Sequence, residues 1–133
     1  MPGPDPAHWL HRLTVVEWLA AATAELAQAE AALARRATRP GITHARRAAG
    51  MAWNAVLIEH PDGRAGRSYM EHVAALAAAD DVPTEVREAA RRLRDTPAAP
   101  PALITLGKPD LGALDAATVI AAHARERSER AKR

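Results

Sequence analysis

Arg67 and His72 bracket the string Arg-Ser-Tyr-Met-Glu-His, and between them they carry two groups that phosphate chemistry uses. An imidazole with a pKa near neutrality takes up and returns a proton at physiological pH. A guanidinium grips a phosphate through two parallel hydrogen bonds. The same spacing recurs at Arg39 and His44, and roughly two such matches are what chance supplies in a chain this rich in arginine. Position separates the two pairs. Arg67 and His72 lie at a helix entrance, whereas Arg39 and His44 straddle Pro40-Gly41. His8 and His11 offer two imidazoles for a metal, but no third ligand stands nearby, and two exposed polar residues are the expectation there. No metal site and no cofactor are expected. Arg87, Arg91 and Arg94 form a basic stripe, and Arg87 and Arg91 together with Arg46 and Arg47 are the best candidates for phosphate or nucleic-acid contact. The plainer reading of the stripe is a solvated face balanced by Glu85 and Glu88.

Helices must position these groups. Ser68 followed three residues later by Glu71 is a capping box: the hydroxyl accepts from the Glu71 N–H while the carboxylate accepts from the Ser68 N–H. The helix it starts should bury Met70, Val73, Leu76 and Ala77. Asp80-Asp81-Val82-Pro83 stops it and starts another, with Val86, Ala90 and Leu93 inward. Ahead of them, His44 to His60 is apolar from Ala48 to Ile58 except for Asn54. A helix apolar on nearly every side is a central one. It is expected to open at Ile42-Thr43, after a break at Thr38-Arg39-Pro40-Gly41. A long first helix is expected from Asp5-Pro6 to about Ala37, its stripe formed by Val15, Leu19, Ala22, Leu26, Ala29 and Leu33. After Asp95 an extended connection should carry a short packed segment, Leu103 to Leu106, and a last helix should begin at Asp115.

Composition bounds the rest. The chain has 133 residues, with no Phe, one Tyr and three Trp. Its core must therefore be built from Leu, Val, Ile and Ala, and Ala-rich surfaces bury enough area only when helices approach closely. An all-α bundle of four or five helices in one domain, residues 1–124, is expected, with Leu19, Leu26, Leu33, Ala49, Trp53, Val56, Leu57, Val73, Leu76, Val86 and Leu93 in its core. Leu10, Val16 and Ile120 add apolar surface beyond what one protomer can cover, which argues for a homodimer. The formal net charge is +2. Residues 125–133 hold five basic and two acidic side chains, a net +3, so the preceding residues carry −1. That charged tail is expected to fray.

Cysteine is absent, which excludes disulfides, thiolate metal sites and a Cys nucleophile. Glu-x-x-His, Gly-x-Ser-x-Gly and a Gly-rich phosphate loop are absent too. The start MPGPDPAHW lacks the basic and apolar regions of a signal peptide, and no apolar run reaches the roughly 20 residues that span a bilayer. A cytoplasmic protein with no membrane association is expected.

The blocks HARRAAGMAWNAVLIEH and RSYMEHVAALAAADDVPTEVREAARRL have a characteristic order: a small-residue helix, a Pro-Asp-Gly turn, a short helix, an Asp-Val-Pro break and a Glu/Arg-rich amphipathic helix. In that order they resemble the core of the HEPN family, over roughly Trp9 to His123. The resemblance implies an up-and-down bundle of about four or five helices, usually dimeric. Members occur as metal-independent ribonuclease toxins, as partners of minimal nucleotidyltransferases and as nucleotide-associated proteins without catalysis. It further implies that Arg67 and His72 are the catalytic pair if the chain cuts RNA, with a nucleotidyltransferase-type antitoxin as its partner. This chain departs from the pattern at Leu103 to Pro109, which lacks the Tyr and Arg of many nucleotidyltransferase-linked members. It departs again at Asn54, where a charged residue is frequent. The leading expectation is thus a dimeric binding module beside a nucleotidyltransferase or nucleic-acid-processing partner, with RNA or a nucleotide as ligand. The alternatives are an endoribonuclease toxin and a helical scaffold that binds only protein.

Overall fold

The computed structural model describes residues 8–97 and 110–131, with side chains from Trp9 to Pro97 and from Asp110 to Arg130. Every regular element among them is a helix: a 3₁₀ turn His8–Arg12, α1 Val15–Ala34, α2 Thr38–Glu59, a 3₁₀ turn Gly63–Ala65, α3 Tyr69–Ala78, α4 Thr84–Asp95 and α5 Gly112–Ala131. None of the described helices is long and apolar enough to cross a membrane.

The first helix begins later than expected. Asp5-Pro6 lies outside the described residues, and α1 starts at Val15 behind a capping box in which Thr14 accepts from the Glu17 N–H and Glu17 accepts from the Thr14 N–H. The preceding 3₁₀ turn folds back so that the Trp18 indole N–H donates to the Leu10 carbonyl at 2.7 Å. Trp18, Ala22, Ala29, Ala32 and Leu33 form the buried face, while Leu19 and Leu26 are only partly buried against the core.

The break between α1 and α2 also differs. Arg36 takes the left-handed conformation, φ 62°. The Arg36 N–H donates to Leu33 O, and the Ala37 N–H donates to Ala32 O. These are the two bonds of a Schellman end, made here without the usual glycine. Pro40 then falls in the first turn of α2, where its missing N–H has no intrahelical partner to lose. Gly41 serves contact rather than termination, since a methyl group there would lie 2.5 Å from Leu33 Cδ2.

Residues 48–57 of α2 are all buried, and the helix packs against α1, α3 and α5. The central position expected from its apolar circumference is the one it takes. Gly50 lets α3 approach closely: a methyl there would sit 2.3 Å from Tyr69 Cβ. The Ser68–Glu71 capping box forms, with Glu71 N–H to Ser68 Oγ at 3.0 Å and Ser68 N–H to Glu71 Oε1 at 3.3 Å. Val73, Leu76 and Ala77 are buried, as are Val86, Ala90 and Leu93 of α4, whereas Met70 is only partly covered.

Segment 103–106 lies outside the described residues. The last helix opens at Gly112, with the Gly112 N–H donating to Asp110 Oδ1 at 2.9 Å. It continues to Ala131. Ser128 is buried, and Arg125 reaches Thr23 Oγ1 at 2.9 Å. Of the three residues held in reserve for a dimer face, Leu10 and Ile120 are buried within the protomer. Only Val16, 62% exposed, remains outside.

Candidate functional site

The turn from α2 to α3 determines where His72 goes. Gly66 adopts φ 69°, ψ −159°, a region closed to side chains, and a methyl there would lie 2.2 Å from Glu71 Oε2. The turn is thereby held tight under the capped start of α3. His72, one turn in, points to the interior and is fully buried.

Both of its ring nitrogens are taken. Nδ1 lies 2.7 Å from the Ala65 carbonyl oxygen, which only accepts, so Nδ1 carries a proton. Nε2 lies 2.7 Å from Asn54 Oδ1. With that amide orientation the ring would need a proton on both nitrogens and would be a buried cation. Burial opposes this: it pushes the His72 pKa below 6.5, and the Ala65 bond and the Glu71 charge only partly offset it. Exchanging the O and N of the Asn54 amide resolves the conflict, because the –NH₂ then donates to a neutral Nε2. In the present orientation Asn54 Nδ2 is buried without a hydrogen-bond partner among the described residues. Trp9 closes the arrangement, stacking on His72 at 5.8 Å between ring centroids and 21° between planes.

Arg67 stays outside, exposed and without a hydrogen bond or ion pair among the described residues. The expected pair is therefore divided between the surface and the interior. A residue that must meet an RNA 2′-hydroxyl needs an open ring nitrogen, and His72 has none in this conformation. Sequence reasoning missed Asn54 as its partner. The clue was a lone amide in an otherwise apolar helix, which must find a buried polar group.

The arginines expected at phosphate are bound to protein. Arg46 donates from Nε and Nη2 to the Leu93 carbonyl at 3.1 and 3.0 Å, and from Nη2 to the Thr96 carbonyl, closing the C-terminus of α4. Partial burial lowers its pKa. Arg87 donates to Ala79 O at 3.1 Å and Arg91 to Ala77 O at 3.1 Å, closing the C-terminus of α3. Cations at those positions meet the unsatisfied carbonyls and the negative end of the helix dipole. Arg47 pairs with Glu25 at 3.2 Å, and the same carboxylate meets His44 Nδ1 at 2.6 Å. Arg39, the other half of that second spacing, is exposed. His11 is exposed and the His8 side chain lies outside the described residues. Among the described residues no three His, Asp or Glu side chains gather as a metal would require.

A hollow of about 570 Å³ opens elsewhere, between the C-terminal ends of α2 and α3 and the last turns of α5. Its apolar side is Trp53, Val56 and Leu57 of α2 with Ala75 and Leu76 of α3; His60, Asp62, Arg64, Asp81 and Arg127 bring charge and polarity. Small residues face the space from α3 and the residue that caps it, Ala75, Ala78 and Ala79. Arg64 is gripped by Asp62 through two bonds of 3.1 and 2.9 Å. Asp81 and Asp80 also act on Arg64 electrostatically. On the α5 side, Arg127 lies over the Trp53 ring, 5.7 Å from its centroid, and has no hydrogen bond or ion pair among the described residues. One turn earlier His123 stacks on Trp53 at 6.0 Å and 14°, its Nε2 buried without a partner. Burial, then the charge of Arg127, lowers the His123 pKa. A concave site of this size with an apolar floor and a few convergent polar groups has the character of a small-molecule site.

No protein-family model matches this chain, and neither a curated protein nor a solved structure matches it.

Proposed function

We propose that this chain is a non-catalytic helical binding module of HEPN-like architecture, working as a dimer beside a nucleotidyltransferase or nucleic-acid-processing partner, with the hollow at Trp53 as its ligand site. The observation that carries the reading is that hollow, about 570 Å³ beside an Arg127 that has no hydrogen bond or ion pair among the described residues. The order of the helices and the Ser68 cap support the HEPN-like part, and the burial of His72 argues against cleavage. A thermal-shift screen of small organic molecules tests the binding part. Ligands should raise the Tm of the wild type but not of Ala75→Leu, which fills the hollow from α3. A screen without such ligands would remove the reading. Incubation with RNA tests the other part. Metal-independent cleavage that disappears in Arg67→Ala, a surface change that leaves the fold alone, would establish the ribonuclease instead. Sedimentation tests the dimer: twice 14.2 kDa is expected, and a monomer at high concentration rejects it.

A further inference from the structure

The two sides of the hollow differ in charge. On one, α2 and α3 both end, and helix C-termini carry partial negative charge. The exposed carboxylate of Asp81 stands there with Asp62 and is faced by Arg64, while Arg87 and Arg91 already meet the last carbonyls of α3 and leave the end of α2 as the open one. On the other side Arg127 lies over the Trp53 indole with no carboxylate bound to it among the described residues. Between them lies apolar surface from Trp53, Leu57 and Leu76. A plain anion would meet Arg127 and be repelled by Asp81. A plain cation would meet the reverse. An apolar molecule would leave the guanidinium desolvated without compensation.

Building on the binding-module reading, we propose that the hollow takes a small zwitterion with an apolar body, a free amino acid or a short peptide. Its ammonium faces Asp81 and the end of α2, its carboxylate binds Arg127, and its side chain lies on Trp53 and Leu76. A guanidinium and a carboxylate form two parallel hydrogen bonds when their planes match, and Arg127 lies over the Trp53 ring, 5.7 Å from its centroid, within cation–π range.

The test is an NMR titration of the full chain with L-phenylalanine and with leucyl-phenylalanine, following the tryptophan indole N–H resonances. Trp53 should shift saturably, and Trp18, whose N–H is bonded to Leu10, should not. Acetylating the amine or amidating the carboxylate of the better probe should weaken it about tenfold or more. Arg127→Gln should abolish discrimination against the amide, and Asp81→Asn discrimination against the acetylated form, with unchanged circular dichroism in both. The response to the single amino acid relative to the dipeptide identifies the source. An acetylated probe that binds as well as its parent would make this an anion site and overturn the proposal. So would the absence of a Trp53 shift with either probe. If thermal-shift ligands still distinguish wild type from Ala75→Leu in that case, the binding-module reading survives its ligand class; if none do, both fall.

Discussion

His72 and His123 each stack nearly flat on a tryptophan, at 5.8 and 6.0 Å between centroids, yet they belong to opposite kinds of environment. His72 is fully buried with both ring nitrogens bonded, to a backbone carbonyl and to Asn54. His123 is only partly buried, its Nε2 has no partner among the described residues, and the Trp53 it stacks on lines the hollow. The same two residue types thus lock one part of the fold and, in another, leave a ring nitrogen unsatisfied on a tryptophan that lines an unfilled space. What differs is whether neighbouring polar groups are supplied by the chain itself, and that is where ligand chemistry is to be sought.

Removing the locked histidine should have the largest effect. His72→Leu keeps side-chain volume but leaves the Ala65 carbonyl and the Asn54 amide buried without partners. The expected loss is about 3–5 kcal/mol, measured by chemical denaturation. A variant as stable as the wild type would show that the pair is not a lock. Gly66→Ala attacks the same stack through its turn, forcing a side chain into a glycine-only conformation against Glu71. About 1–3 kcal/mol is expected, and an unchanged midpoint would mean that the turn tolerates another shape.

Acid sharpens the contrast further. Burial holds the His72 pKa below 6.5 in the folded chain, so the unfolded chain takes up a proton first as pH falls. The contribution of His72 to stability is full above about pH 6.5 and declines as pH drops from there through the lower folded value. His123 has a shift of the same sign, so the measurement belongs in a His123→Leu background, where midpoints should still decline with acid. Constant midpoints would show that His72 takes up its proton at the same pH in the folded and unfolded chains. The smallest effect is that of His123→Leu itself at neutral pH. It removes no hydrogen bond from Nε2, and stability should stay within about 1 kcal/mol of the wild type. A large loss would mean that the two stacks are alike after all.

Much of the fold could be read from residue pattern, because apolar periodicity and the Ser68–Glu71 box are local. The central place of α2 follows from Ala48 to Ile58, and the α3–α4 break from Asp80 to Pro83. The errors occurred where one signal has two physical causes. Pro40-Gly41 reads as a break, yet a proline in a first turn loses nothing and Gly41 admits Leu33. The true break at Arg36 uses a left-handed arginine, which no composition rule marks. Thr14 and Glu17 form a readable box, but Asp5-Pro6 carries an equally good helix start and draws the expected helix too far back. The arginines at 46, 87 and 91 look like a phosphate surface because their acceptors, carbonyls at the ends of other helices, have no signature in sequence. The hollow was illegible for a different reason, since it is empty space, faced by Ala75, Ala78 and Ala79.

The bond from Arg125 to Thr23 spans 102 residues, whereas that from the Trp18 indole to Leu10 spans 8. Contacts that close short loops lose little chain entropy and form early, and those joining distant segments wait for them. The α1–α2 hairpin, with three residues between its helices, and the α3–α4 hairpin can each assemble alone, but α5 has to find both afterwards. Because His123 and Arg127 arrive with it, the stack on Trp53 is among the last structures to close during folding. The wall of the hollow that carries its guanidinium is then expected to close late among the described helices.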